Sequence, residues 1–532
     1  MAPQNPNYVA IVDMGSNGIR YSITDLAPAT ARIMPSIYQD RAGISLYDAQ
    51  WAGGVKVPIP DTTISAVIAV LQRFQRTCAA FGVPASNVRV LATEATRQAA
   101  NSEAFRERIK EATGWTVEML PKEEEGVVGA LGVASSFFTA RGLMMDLGGG
   151  STQLTWISAR HGEMEMSARG AVSLPYGAAA LTRRLEEAHS QGRAAVSTLR
   201  EEITGALKEA VAAIAIPPTI EADIKSEQGL TLYLSGGGFR GWGFILMSAR
   251  SPPYPIHIIN GFRAPVADFH STDVVSSIAA TDDKLFRVSE RRAGQVPAVA
   301  LLVECLEKAL PAIKTVAFAQ GGVREGVLFR GLSTATRATH PLVTVTRAHA
   351  PPSVDVLAKL LRAAAPPGES MSEYALTALA NAMYIYGSLN KDVQAAACLR
   401  STTTGLLAGV HGADHGERAA VAVMLCERRG GAGALSPDDE RFMRGLMGLL
   451  GSEEGWWCVY FGRVAGVLGE CYPAGVVEGD GVKVDATWED RGESKKGKDK
   501  GMALRVTFDF TGEGVEGGLR WMGWLGRRIR WS

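Results

Sequence analysis

Apolar residues alternate with a short period at the start of the chain. Tyr8-Val-Ala-Ile-Val12 reads as a strand, Asp13-Met-Gly-Ser-Asn17 as a tight turn, and Ile19 to Ile23 as a second strand. Together they predict a hairpin. The period then lengthens. Between Asp61 and Phe81, the residues Ile64, Val67, Ile68, Leu71 and Phe74 fall on one helical face, and Gly82 is a natural stop. Val88 to Ala92 reads as a strand. Asn101 is placed to cap a helix running to about Thr113, with Gly114 ending it. Thr116 to Leu120 is a short strand, and Pro121 opens a helix whose first turn carries Glu123, Glu124 and Glu125.

The opening pattern then recurs. Gly142 to Met145 is a strand, Asp146-Leu-Gly-Gly-Gly-Ser-Thr152 a glycine turn, and Leu154 to Ile157 a returning strand. An Asp-x-Gly hairpin therefore begins at Asp13 and again at Asp146, an internal repeat that points to two related halves. A third strand, Leu230 to Ser235, runs into Gly236-Gly237-Gly238. Helices are predicted over Ala178 to His189 and Thr198 to Ile214, with a loop at Pro217 and Pro218. Beyond about residue 285 the pattern is helical, clearest over Glu304 to Ile313 and Met371 to Leu389. Six of ten tryptophans follow Gly455, where Lys483 to Trp488 and Ala503 to Phe510 read as strands and Glu493 to Gly501 as a charged loop.

The length of 532 residues implies several domains. With 55 basic and 55 acidic residues, no global field draws in a polyanion, so one must meet a local site. No apolar run is long enough to cross a membrane, and Met1 to Tyr8 has the character of neither a signal nor a transit peptide. The six cysteines are scattered without metal-ligand spacing, which suits a reducing compartment.

The glycine turns carry the chemistry. Without side chains, Gly148, Gly149 and Gly150 let backbone N–H groups approach a ligand, and Ser151 and Thr152 add hydroxyls. Such a concavity suits phosphate, and Asp146 at a strand end suits a hydrated Mg²⁺. Asp13, Gly15, Ser16 and Asn17 form the matching turn. Two such hairpins facing each other make a phosphate clamp, with Ser235, Gly236, Gly237 and Gly238 lying against the same ligand. The alternative is a pair of glycine hairpins without a ligand. Glu123 to Glu125 could equally favour a helix dipole. His411 and His415, four apart with Asp414 between, invite a metal reading, but no second ligand pair is visible and Gly412 and Gly416 disfavour a regular helix. The Lys495 to Lys498 run reads as a solvated loop, without the aromatic interleaving of a nucleic-acid binder.

These motifs resemble the actin/Hsp70/sugar-kinase fold and, within it, the exopolyphosphatase and guanosine-pentaphosphate phosphatase family. The matching stretches are Asp13 to Gly18, Ala92 to Arg97 with Asn101, Glu124-Glu125, Asp146 to Thr152, Ser235 to Arg240 and Val323 to Gly326, in family order over roughly residues 7–335. More narrowly, Gln153 and the Leu406 to Arg418 stretch resemble a fungal subgroup of retrograde signal regulators. The resemblance implies that Glu125 is the catalytic glutamate that handles water. It implies that Asp146 binds metal, that Asp13 is the matching carboxylate, and that Arg97, Arg240 and Arg324 occupy motif positions. Each arginine could fork to phosphate or pair with a carboxylate. The family continues its second hairpin Ser-Thr-Glu, where this chain has Ser151-Thr152-Gln153. It follows the catalytic glutamate with Ala-Arg, where this chain has Gly126-Val127.

The expected fold is α/β: two actin-like (ribonuclease H-like) domains over 1–139 and 140–335, a helical domain over 336–454 and a small β-rich unit over 455–532. The expected function is a cytoplasmic signalling regulator that binds a nucleotide or polyphosphate-like ligand with Mg²⁺ and engages a cytosolic inhibitory protein, without direct contact to nucleic acid or membrane. A homodimer is compatible with the sequence, which does not set the oligomeric state. The rivals are an active Mg²⁺-dependent phosphoanhydride hydrolase and a scaffold with a vestigial cleft.

Overall fold

The computed structural model describes residues 3–52, 55–226, 229–281, 287–368, 371–479, 482–490, 502–509 and 521–526. The first lobe contains β1 (Tyr8–Gly15), β2 (Gly18–Asp25), β3 (Ser36–Ala42), the two-stranded pair β4 (Trp51–Ala52) and β5 (Val55–Lys56), β6 (Val88–Ala92) and β7 (Val117–Met119). Its main sheet has the order β3-β2-β1-β6-β7. The first three strands are antiparallel, and β6 and β7 join in parallel. The second lobe contains β8 (Ala140–Leu147), β9 (Thr152–Arg160), β10 (Glu163–Met166), β11 (Val172–Leu174), β12 (Leu230–Ser235), β13 (Arg263–Pro265) and β14 (Ile313–Phe318). Its sheet runs β10-β9-β8-β12-β14-β13, with β11 on β9. The first five strands repeat the first lobe's order and pairing senses. The hairpin repeat read in the sequence is thus a repeat of whole sheets, the duplicated actin-like topology.

Each lobe has its own core. In the first, the predicted stripe of the helix Asp61–Phe81 buries Ile64, Val67, Leu71 and Phe74 against Tyr21 and Ile23 of β2. Gly82 then takes φ +71°, the left-handed cap that glycine adopts without strain. In the second, Met144, Ile157 and Tyr233 pack under Ala130 and Val133 of the helix Lys122–Ser135. A smaller apolar cluster joins Ile11, Leu91 and Leu131 to Leu328 and Phe329 of the helix Val323–Gly331. That crossing is close because Gly132 and Gly326 carry no side chain: a Cβ on either would collide with backbone carbonyl oxygen, of Gly322 and Val128 respectively.

Several local expectations change. Asn101 sits at the helix start, but its side chain makes no cap; its amide exchanges bonds of 2.9 Å with both the N–H and C=O of Ile59, pinning a distant loop. Pro217-Pro218 opens a helix, Pro218–Ile224, because proline suits its first turn. The Glu304 to Ile313 expectation merges two elements: the helix is Val296–Ala309, and Ile313 begins β14. The helix expected from Met371 to Leu389 is confined to Glu373–Ala382.

Contacts divide the chain between Thr339 and His340, with His411–Asp414 belonging to the first unit. The second unit is helical and includes Val354–Ala363, Glu373–Ala382, Lys391–Arg400, His415–Arg428 and Gly451–Cys471. That last helix runs through the 454/455 boundary expected from the sequence, and Trp456 and Trp457 lie on it rather than on strands. The β-rich end is the antiparallel sheet β15 (Lys483–Asp490), β16 (Met502–Asp509) and β17 (Trp521–Gly526). The lysine-rich stretch 495–498 lies outside the described residues. No helix of the described residues is long and apolar enough to cross a membrane.

Candidate functional site

The two glycine hairpins meet tip to tip. In the first, a two-residue turn, Ser16-Asn17, joins Gly15 to Gly18 and sets Asp13 opposite Arg20. In the second, the loop Gly148 to Ser151 links Leu147 to Thr152 and is closed by Gly148 N–H donating to Ser151 O at 3.0 Å. A Cβ on Gly149 would lie 2.5 Å from the Asn17 amide, so a side chain where the tips touch would have to displace that amide. Behind the second tip, three neighbouring strands place Gln153, Asp146 and Ser235 side by side. Ser235 then passes directly into the helix Gly236–Ser248. The third glycine run is therefore a strand-to-helix junction with Gly236 at φ +91°, not a third hairpin.

Between the lobes lies a cleft. It collects Asp13, Gly15, Ser16 and Asn17 from the first hairpin; Asp146, Gly148, Gly149, Ser151 and Gln153 from the second; Ser235 to Gly238; and Glu125. Three expected residues sit elsewhere. Arg97 stands behind Glu125, donating to its Oε2 at 3.1 Å and to Leu120 O. Thr152 is fully buried and donates to Asp146 O at 2.9 Å, holding the loop's base. Gly150 faces a separate cavity on the far side of the loop.

The cleft is rich in guanidinium groups. Arg20, Arg41, Arg240, Arg291, Arg292 and Arg324 line it. Burial, then the neighbouring Arg20 and Arg292, push Arg240 down to about 9; burial and the cations Arg41 and Arg20 push Arg292 down to about 10. Cations crowded enough to disfavour their own charge create a demand for an anion. Sequence reading missed Arg20, Arg41, Arg291 and Arg292. Arg20 was readable in principle, since a two-residue turn fixes its place opposite Asp13. Arg291 had no local signal. It reaches from the second lobe to the first, donating to Asn17 Oδ1 at 2.7 Å, Ser45 Oγ at 2.9 Å and Asp48 at 2.6 Å.

The carboxylates are strained in the opposite sense. Burial raises Asp13 and Asp146, and Arg20 partly offsets this in both. Burial raises Glu125 to about 7 against the pull of Arg97, with Glu94 and Asp146 adding to the rise. The buried carboxylate of Asp13 and the half-buried one of Asp146, at the hairpin bases, fit Mg²⁺ that completes its shell from ligand phosphates and water. Among the described residues no cluster of three acidic, histidine or cysteine side chains could hold a metal alone.

A raised carboxyl pKa has a consequence for stability. The protonated form of Glu125 is favoured in the folded chain, so its contribution is full below the ordinary value of 4.5 and is lost as pH rises through about 7. Glu125→Gln is expected to flatten the fall in stability over that window. Denaturant titrations of both proteins from pH 4.5 to 8 check this; parallel curves would refute it.

A family model, the Ppx/GppA phosphatase family, matches residues 24–225, and a second, the RTG2 C-terminal domain, matches residues 340–531. Retrograde regulation protein 2 of Saccharomyces cerevisiae is 40% identical over 489 residues, 88% of this chain and 82% of that protein. The chain belongs to the retrograde regulation protein 2 family. Exopolyphosphatase 1 of Mycobacterium leprae is 25% identical over 64% of this chain and 94% of that protein. The crystal structure of the Aquifex aeolicus Ppx/GppA family member overlays with a TM-score of 0.45 at 23% identity, covering 61% of this chain and 96% of that one.

The two departures noted in the sequence now acquire positions. Gln153 is 7% exposed, directly across from Asp146, with its Oε1 beside Gly129. Val127 does not face the cleft; it packs in the apolar cluster around Ile11, Leu91 and Leu328. His411 does not share a helical face with His415. Gly412 takes φ +102°, and the helix begins only at His415. His411 Nε2 lies 2.7 Å from Ser135 Oγ, and Asp414 pairs with Arg263 at 3.1 Å. Elemental analysis of the purified chain is expected to find no stoichiometric Zn, Mn or Fe; one equivalent lost on His415→Ala would overturn this.

Proposed function

We propose that this chain is a cytoplasmic regulator of retrograde signalling to transcription that binds a nucleotide or polyphosphate-like ligand with Mg²⁺ in the interlobe cleft. The observation that carries the reading is the ring of crowded guanidinium groups around two facing glycine hairpins. Asp13 and Asp146 would hold Mg²⁺, whose charge would neutralise part of the phosphate. The loop N–H groups and hydroxyls of Ser16 and Ser151 would orient the phosphates. Both lobes contribute to the cleft, so a ligand drawing them together alters the surface offered to a cytosolic inhibitory protein.

A second reading, hydrolysis of a phosphoanhydride, is favoured by one observation. Glu125 titrates near neutrality at the edge of the same cleft, where a general base works well. Against it stands the neutral Gln153 beside Asp146.

A thermal-shift screen with ATP, GTP and polyphosphate, each with and without Mg²⁺, tests the binding reading. A ligand present at 100 times its dissociation constant is expected to add about 2.7 kcal/mol of stability. No shift from any of them at millimolar concentration would refute it.

A further inference from the structure

A second cavity lies on the other side of the glycine loop. Glu94 lines both cavities, and Gly150 lines this one while Gly148, Gly149 and Ser151 line the cleft. A ligand holding phosphate against the loop thus has this cavity beside it.

Its walls set an aromatic corner and acceptors beside the cations Lys56, Arg183 and Arg184. Tyr47 and Trp51 form an aromatic corner with ring centroids 6.3 Å apart. The Arg183 guanidinium carbon lies over this corner, 3.5 Å from the Trp51 centroid and 6.0 Å from that of Tyr47. A planar, π-stacking group is therefore already accepted there. Besides these cations, the cavity holds two acceptors. Gln50 is 2% exposed, and its Nε2 is committed to Leu46 O at 2.8 Å and Ala95 O at 2.9 Å. These two bonds fix the amide orientation and leave Oε1 with no hydrogen-bond partner among the described residues. A buried unpaired oxygen carries an uncompensated desolvation cost, which a donor would relieve. The Glu94 carboxylate, oriented by Gln98 Nε2 at 3.1 Å, adds a second acceptor. Phosphate oxygens offer neither a π-face nor an N–H; a nucleobase offers both.

We propose that the Tyr47–Trp51 cavity is a nucleobase subsite, which makes the cleft's ligand a nucleotide rather than a polyphosphate chain. The base replaces the Arg183 guanidinium on Trp51 and turns an amino or ring N–H edge toward Gln50 Oε1 and Glu94. This rests on the phosphate-cleft reading above and narrows it.

Calorimetric titration of the full chain with Mg²⁺ and GTP, ATP or tripolyphosphate tests it. The better of the two nucleotides is expected to bind about tenfold more tightly than tripolyphosphate, the scale of one base–aromatic stack. Trp51→Ala should erase that advantage while leaving tripolyphosphate affinity unchanged, and Trp51→Phe should retain most of it. Arg183→Ala, which removes the competing guanidinium, should tighten nucleotide binding alone. Equal affinity for nucleotide and tripolyphosphate in the unaltered chain would overturn the subsite and leave the phosphate cleft standing. A nucleotide advantage that survives Trp51→Ala would do the same. If Trp51→Ala no longer binds tripolyphosphate, Arg183→Ala decides, and unchanged nucleotide affinity there counts against the subsite. No binding of any of the three by the unaltered chain fells both readings.

Discussion

Gly148→Val is expected to abolish ligand-induced stabilisation while leaving the fold intact. Gly148 lines the cleft, and its N–H is already used to close the loop onto Ser151 O. A Cβ there would meet only that carbonyl oxygen, at 3.0 Å, so the loop must yield by a few tenths of an ångström. The branched methyls beyond it would occupy the space that phosphate needs. The neighbouring positions make poorer tests. A Cβ on Gly149 would strike the Asn17 amide, and one on Gly150 would lie 2.9 Å from Glu94 Oε2, so either change disturbs how the lobes meet. The expected result is a loss of at least about 100-fold in affinity, so that the ~2.7 kcal/mol ligand shift falls to about 0.4 kcal/mol or less. The far-ultraviolet spectrum and the unliganded melting temperature should stay close to those of the original chain. A folded Gly148→Val protein that still responds to ligand would show that phosphate does not lie on this loop.

Replacing Gln153 by glutamate is expected to make the chain's stability depend on Mg²⁺. Gln153 is nearly buried and opposite Asp146, which burial already raises. Another carboxylate there, without a cation, must either take up a proton or face its neighbour's charge. The unliganded Gln153→Glu protein should therefore be less stable at pH 8 by about 1–3 kcal/mol, the usual cost of a poorly compensated buried polar change. Added Mg²⁺ should restore that loss in the variant and do little for the original chain. In a phosphate-release assay under matched Mg²⁺, the original chain should turn over nucleotides and polyphosphate weakly or not at all. Gln153→Glu gains metal affinity, but its gain in turnover should be small. The family's arginine after the catalytic glutamate is replaced by Val127, and that position is given to core packing rather than to the cleft. Robust turnover in the original chain that vanishes in Glu125→Ala would replace the regulator reading with that of a hydrolase that tolerates glutamine at 153.

The arginines expose the limits of reading the sequence by motif. Arg97 and Arg324 stand at motif positions, yet each pairs with a glutamate, Glu125 at 3.1 Å and Glu325 at 3.3 Å. Arg240 also stands at a motif position, and its charge is crowded by Arg20 and Arg292. Arg97 meets its carboxylate 28 positions away and Arg324 its own one position away, but other arginine contacts depend on residues hundreds of positions distant. Arg291 bonding to Asn17 across 274 positions is the clearest case. No periodicity or spacing carries such a contact.

The sequence by itself determined the two hairpins, the strand ends that hold Asp13 and Asp146, and the duplication of the lobes. These are short-range features. A glycine turn between apolar runs, a helical stripe such as Ile64 to Phe74 and a terminating glycine such as Gly82 are set by backbone sterics and by burial of one face within a few residues. Only the tertiary structure decided that Val127 packs in a core, that Gly150 turns away from the cleft, and that Trp456 and Trp457 lie on a helix. It also decided that six arginines converge around the hairpins and that Gln50 is left with an unpaired oxygen beside an aromatic corner. Those outcomes depend on which surfaces meet when separate elements pack, and on the electrostatic balance among groups that the chain brings together only once it has folded.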